Sequence, residues 1–252
     1  MQLGLIGAGN MARAMARGWG DPVICSDHGS GRARALATEL GGEALHSNLA
    51  VAERADVVVL CHKPRQLQEV ANEIAGAAKA VASVLGGVTI AELQEAYPGI
   101  PVVRLMPNTP VEVQRGIVCY AFAADVAEGF RGEVVALLER LGTAVELEER
   151  LIEPASAVMG VGPAYQAVLA EAQIDAGVRH GLTPAIAAGL VAETMAGTAA
   201  LLEARGYDTL TVRREVASPG GSTARGLAAL DRAGVRAAFH DAIDAVLGWS
   251  PS

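Results

Sequence analysis

Leu3-Gly4-Leu5-Ile6-Gly7-Ala8-Gly9-Asn10-Met11-Ala12 lies near the start of the 252-residue chain and sets an apolar run directly before a glycine turn. Leu3 to Ile6 reads as a strand, and Asn10 to Trp19 has helical spacing. The glycines therefore fall at a strand–turn–helix junction, the context that gives a G-x-G-x-x-G/A pattern meaning. Gly7 permits the tight turn, Gly9 lets backbone approach a pyrophosphate, and Ala12 in third place lets helix pack on strand. The helix then presents free N–H groups and the positive end of its dipole to the phosphates.

Working outward, Val23-Ile24-Cys25 reads as the next strand, followed by a helix from Gly31 to Leu40. Asp27 ends that strand 20 residues after Gly7. An acid there accepts hydrogen bonds from an adenosine ribose and repels a 2′-phosphate, which predicts a preference for NADH over NADPH. Arg32 and Arg34 follow closely and are the residues that would rescue a 2′-phosphate. Val57 to Leu60 is a continuous apolar run, as expected of a strand buried on both faces. Cys61-His62-Lys63-Pro64 ends it and should border the cofactor, because ligands of doubly wound sheets sit beyond the carboxyl ends of strands.

Val81 to Leu85 and Val102 to Leu105 read as further strands, with Val118 to Phe122 and Ala144-Val145 as weaker ones. Ser83-Val84-Leu85-Gly86-Gly87 and Met106-Pro107-Asn108-Thr109-Pro110 end two of them with small or stiff residues suited to lining a nicotinamide pocket. This alternation predicts right-handed βαβ units in an α/β, Rossmann-type doubly wound sheet. From about Glu153 the β signals fade. Ala164 to Arg179, Pro184 to Arg205, Val212 onward and Ala224 to Leu247 are Ala/Leu-rich with helical spacing. The expected organisation is a dinucleotide-binding domain over 1–152 and an all-helical domain over 153–252.

Val216-Ala217-Ser218-Pro219-Gly220-Gly221-Ser222-Thr223 is the informative stretch of the second half. Ser222 or Thr223 could simply cap the following helix. Alternatively, backbone N–H groups and both hydroxyls cradle a substrate carboxylate at the positive helix end.

Composition narrows the classes. A net charge of −8 without a basic run argues against nucleic acid as a partner. No signal peptide and no uninterrupted membrane-length apolar run is read, so a soluble, cytoplasmic protein is expected. Cys25, Cys61 and Cys119 form neither a disulfide framework nor a metal-ligand pattern, so no metal is invoked.

Together, Gly7-Ala8-Gly9-Asn10-Met11, His62-Lys63-Pro64, Met106-Pro107-Asn108-Thr109-Pro110, Gly162-Pro163-Ala164-Tyr165 and Ser218-Pro219-Gly220-Gly221-Ser222-Thr223 resemble the pyrroline-5-carboxylate reductase family in order and spacing. The resemblance implies NAD(P)H-dependent reduction of 1-pyrroline-5-carboxylate to L-proline. It also implies a homodimer with interleaved helical domains, often built into a decamer, in which the partner completes each active site. Carried over by position, Ile6, Gly7, Ala8, Gly9, Asn10, Met11, Asp27, Asn48, Cys61, His62, Lys63, Pro64, Gly86 and Asn108 border the cofactor. Glu149, Val216, Gly220, Gly221, Ser222 and Thr223 border the substrate, and Thr223 and Lys63 are the expected catalytic residues.

The chain departs from the family pattern at Val161, where serine is usual, and at Glu215, where asparagine is common. These leave open another cyclic imino acid as substrate. A hydroxy-acid dehydrogenase is disfavoured, because no lysine follows Glu153 to move a hydroxyl proton. A non-catalytic dinucleotide-binding protein is the remaining alternative.

Overall fold

The computed structural model describes residues 1–248 and separates them into two compact units, one over Met1–Pro163 and one from Ala164 onward. In chain order the first holds β1 (Leu3–Ile6), α1 (Asn10–Trp19), β2 (Ile24–Ser26), α2 (Arg32–Leu40), β3 (Glu43–Ala44) and α3 (Asn48–Arg54). It continues with β4 (Val57–Leu60), α4 (Leu67–Ile74), β5 (Val81–Ser83), α5 (Ile90–Ala96), β6 (Val102–Pro107) and β7 (Gly116–Phe122). It closes with α6 (Glu128–Glu139), β8 (Gly142–Glu146) and the short α7 (Ile152–Ala155).

The eight strands form one sheet in the order β3-β2-β1-β4-β5-β6-β7-β8. Every residue of β1 and β4 is buried, as their unbroken apolar runs require of strands covered on both faces. The order reverses between β1 and β4, and the crevice above their carboxyl ends is the ligand position of such sheets. All neighbours are parallel except β6 and β7. The departure from an all-βαβ expectation has a simple cause. Between Pro107 and Gly116 the chain makes a short 3₁₀ turn, Thr109–Val113, too little chain for a parallel crossover.

One glycine sets a close approach between α1 and the β6–β7 turn. Gly18 of α1 faces the Val111 carbonyl, and a Cβ there would collide with that backbone oxygen. Gln114 Nε2 donates to the Gly18 carbonyl at 2.8 Å, so the C-terminal end of α1 is seated against the β6–β7 turn.

Residues 149–160, which straddle the boundary expected at 152/153, belong to the sheet unit, which continues to Pro163. Arg104 of β6 holds them there. It is 3% exposed, and its guanidinium meets Glu149 Oε1 at 3.4 Å and also Glu153.

The second unit contains α8 (Gly162–Arg179, begun just before the boundary), α9 (Pro184–Ala204), α10 (Thr209–Val216), α11 (Ser222–Arg232) and α12 (Val235–Leu247). The stretch Ala224 to Leu247, expected as one helix, is two. Gly234 adopts φ 75°, a left-handed conformation that ends α11 and restarts the chain as α12. Ala187 and Val212 are the buried residues of this unit among those described. Val168, Ile186, Leu190, Val216 and Leu230 are each more than half exposed. Helix α9 is long and apolar enough to cross a membrane by length and composition, yet little of it is buried.

Candidate active site

The crevice above β1 and β4 is a cleft of about 620 Å³. Its lining comprises Ile6 to Met11, Asp27, Asn48, Cys61 to Pro64 and Gly86, thirteen of the fourteen residues expected at the cofactor. Backbone bonds lace the three strand ends together. Gly7 N donates to Ser26 O at 3.0 Å, and Cys61 N donates to Ile6 O at 2.8 Å.

Gly7 has φ +95°, and a Cβ on it would lie 2.8 Å from the Cys61 carbonyl and 2.9 Å from His62 N. Only glycine fits there. Gly9 is different: a Cβ on it would meet nothing within 4 Å, so the fold leaves the space above it open. Gly9 is also the N-cap of α1 and no side chain caps that helix, which leaves its first amides for an anion. Helices α3, α5, α9 and α10, by contrast, are capped by Ser47, Thr89, Thr183 and Asp208. A cradle open above Gly9 with amides turned to it fits a dinucleotide pyrophosphate.

Asp27 stands at the end of β2, and its carboxylate is already engaged. It accepts from Gly29 N at 3.0 Å, Ser30 Oγ at 2.6 Å and Ala33 N at 3.0 Å. Partial burial pushes its pKa up, but the Ser30 hydroxyl and the amides of Ala33, Gly29 and Arg32 outweigh it and hold the carboxyl below its ordinary value. Asn48 is buried and fixed at both ends. Ser26 Oγ donates to its Oδ1 at 2.7 Å, and its Nδ2 donates to Glu73 Oε2 at 2.7 Å.

Across the cleft, His62 Nδ1 lies 3.0 Å from the Lys63 carbonyl, while Nε2 is buried without a partner. Burial pushes the imidazole pKa below its ordinary value, as does nearby His28. The Lys63 carbonyl and Glu69 act the other way. Burial pushes the Cys61 thiol up to about 12, so it stays protonated at neutral pH. Lys63 is exposed at the rim. His28, Ser30 and Gln66 also line the cleft and were missed in the sequence. No motif marks them: His28 and Ser30 follow Asp27 in a loop, and Gln66 arrives through the 3₁₀ turn Pro64–Gln66.

Two expected residues are engaged within the sheet unit. Asn108, expected at the cofactor, is a structural tie. Its Nδ2 donates to Met159 O at 3.1 Å, and its Oδ1 accepts from Ile117 N at 2.8 Å. Glu149, expected at the substrate, accepts from Ile90 N at 2.5 Å and pairs with Arg104. Arg104 itself was missed, because a single arginine in an apolar run has no sequence signature until its two acids are found 45 and 49 residues away.

In the helical unit, Gly220 turns the chain with φ +68°, and Gly221 begins α11 with no side-chain cap. The capping role considered for Ser222 and Thr223 is therefore not taken. Their hydroxyls and the first amides of α11 are left for another acceptor. Gly221 is tightly held: its N donates to Ser218 O at 3.0 Å, and a Cβ would crowd Ser218. Arg225 donates to Gly220 O at 3.0 Å and steadies the corner. Val216 is exposed, and neighbouring Glu215 is paired with Arg205 at 2.9 Å. Tyr165 packs edge-on against Phe239 within this unit, its hydroxyl donating to Ala242 O at 3.4 Å.

Comparison with known proteins adds independent findings. The family model "Pyrroline-5-carboxylate reductase dimerisation" matches residues 149–249, and "NADP oxidoreductase coenzyme F420-dependent" matches residues 2–87. A pyrroline-5-carboxylate reductase of Synechocystis is 34% identical, covering 97% of this chain and 95% of that protein. Among solved structures, the Plasmodium falciparum pyrroline carboxylate reductase with NADP bound superposes with a TM-score of 0.88 at 27% identity. That match covers 98% of this chain and 95% of the other. The Streptococcus pyogenes 1-pyrroline-5-carboxylate reductase gives 0.90 at 26%, covering 98% and 97%.

Proposed function

The chain belongs to the pyrroline-5-carboxylate reductase family, and from that membership we infer that it reduces 1-pyrroline-5-carboxylate to L-proline with NAD(P)H. The observation that carries the reading is the cleft at the strand-order reversal, where the glycine turn, Asp27, Asn48 and the Cys61–Pro64 segment converge. The direct test is spectrophotometric: oxidation of NADH and of NADPH with 1-pyrroline-5-carboxylate and with its six-membered homologue. Oxidation with the five-membered imine and little with the homologue is the expected result. Turnover of the homologue alone would replace the substrate, and dinucleotide binding without any turnover would replace the enzyme.

A C=N carbon accepts hydride best when its nitrogen is protonated, so the protein's tasks are positioning and exclusion of water. Reduced nicotinamide, when bound, supplies the hydride. Residues Gly7 to Met11 hold the pyrophosphate with amides of α1, and Asp27 and Asn48 take the adenosine ribose. Lys63 and Gly86 border the nicotinamide half. The corner Gly220-Gly221-Ser222-Thr223 clasps the substrate carboxylate with amides and hydroxyls, and Thr223 bonds the ring nitrogen and stabilises the product amine. These assignments are supported by the uncapped starts of α1 and α11, each offering donors to an anion.

NADH is the favoured cofactor in this reading. An ionised Asp27 at the end of β2 supports it. The sheet unit, Met1–Pro163, acts as the dinucleotide domain, and the helical unit from Ala164 onward as the substrate and dimerisation domain. The exposed apolar face of the helical unit supports self-association into a homodimer, with assembly to a decamer as its extension. The protein works in the cytoplasm, without nucleic acid or membrane as partner.

A further inference from the structure

Beside the main cleft lies a smaller cavity of about 430 Å³, lined in part by Asp27, His28, His46, Asn48 and Glu73. Asp27, His28 and Asn48 line the main cleft as well, so the two spaces adjoin at the end read above as the adenosine ribose seat. Two carboxylates border this small space, and they are not equivalent. Asp27 commits its oxygens to its own loop, accepting from Gly29 N, Ser30 Oγ and Ala33 N. Glu73, on α4, is exposed and accepts from Asn48 Nδ2 at 2.7 Å, and no salt bridge reaches it among the described residues. Its charge is the less compensated of the two.

An ionised carboxyl only accepts, so Glu73 decides which end of the Asn48 amide turns toward α4. The buried Ser26 hydroxyl completes the arrangement by donating to Oδ1 at 2.7 Å. An amide NH₂ has two hydrogens, and one remains for a ligand. A ligand oxygen taking that hydrogen stands no more than about 6 Å from the Glu73 carboxylate, two hydrogen-bond lengths in series. Charges that close interact inside the screening length of physiological salt, about 8 Å.

We infer that Glu73, a residue that reaches the ribose seat through Asn48, is a second determinant of cofactor choice: its negative charge disfavours a 2′-phosphate there. The inference rests on the dinucleotide reading of the cleft and adds a specificity residue to it. A ribose hydroxyl is neutral, whereas a phosphate monoester in its place brings a charge of about −1.5 to −2. The cationic and titratable groups on this side are His28 and His46, which share the cavity with Glu73, and Arg32, which lines the main cleft.

The test is fluorescence titration of NADH and NADPH with the wild-type protein, Glu73→Gln, Glu73→Asp and the double variant Asp27→Ala/Glu73→Gln. Glutamine keeps an acceptor for Asn48 and removes the charge. Glu73→Gln should raise NADPH affinity relative to NADH about fivefold, while Glu73→Asp, which keeps the charge, should hold the wild-type ratio. The double variant should shift the ratio further than either single change. In 1 M salt the screening length falls to about 3 Å, and the shift should shrink. An unchanged ratio in Glu73→Gln overturns the role of Glu73. So does an equal loss of both dinucleotides, which is what a purely structural tie to Asn48 would give. A shift that persists in full at high salt overturns its electrostatic origin. Absence of binding of either dinucleotide by wild type overturns the dinucleotide reading, and this inference with it.

Discussion

The two units bury apolar surface in opposite ways. In the sheet unit, Leu5, Val58, Val59 and Leu60 sit between layers of helices, and the strand ends above them form a laced cleft. In the helical unit, Ala187 and Val212 are the buried side chains among the described residues, and long apolar side chains face outward. The first unit is complete by its own chain. The second leaves long apolar side chains open, which fits the self-association that its family match supports. Catalysis by this chain is therefore sensitive to two different insults: local strain in the first unit and loss of association in the second.

The largest effect should come from breaking association. Leu190→Glu places a charge on the exposed apolar face of α9, where a dimer would bury it at a cost of several kcal/mol. Light scattering should show monomer, and turnover should fall to background. A dimer that persists would move the interface to another face.

Next is the contrast between two glycines of one turn. Gly7→Ala strains a left-handed residue against the Cys61 carbonyl and should lower the melting temperature as well as abolish NADH binding. Gly9→Ala meets no protein atom, so the melting temperature should stay near wild type while NADH affinity falls at least tenfold. Equal thermal losses in both would mean that the open space above Gly9 is not the ligand's. A smaller change is expected from Thr223→Ala: turnover down by about 10–100-fold, roughly 1.4–2.7 kcal/mol of barrier, with NADH affinity unaltered. Unchanged kinetics would remove Thr223 from the chemistry.

The smallest effect concerns Asp27. Asp27→Ala should shift the ratio of NADPH to NADH affinity toward NADPH by about tenfold, measured by titration. The same carboxyl carries a pH signature. Its folded value is depressed, so its contribution to stability is full above the unfolded value near 3.8 and fades as pH drops through the lowered folded value. Asp27→Ala should therefore flatten the acid limb of the stability curve.

Legibility in the sequence followed the same division. Leu3–Ile6, Asn10–Trp19 and Val57–Leu60 were readable to the residue, because buried parallel strands and an amphipathic helix impose periodicity on local sequence. Many residues of the cleft could be listed because they sit at strand ends near glycine or proline, whereas Asn48, at the start of α3, came from the family resemblance. What escaped was non-local. The reversed direction of β7 depends on how little chain joins it to β6, and the engagement of Asn108 and Glu149 depends on partners far along the chain. The break at Gly234 was hidden inside an unbroken Ala/Leu pattern, since one glycine is tolerated in many helices.

Gly18 has a reach beyond its own neighbourhood. Helix α1 behaves as a short rod: one tip offers amides to the cleft, and the other rests on the Val111 backbone through a residue without a side chain. Asn10 and Gly18 are about 12 Å apart along the axis. A single methyl at Gly18 would act as a wedge under the far tip and tilt the near one. The end of α1 proposed to seat the phosphates would thus be set by a pivot outside the cleft lining.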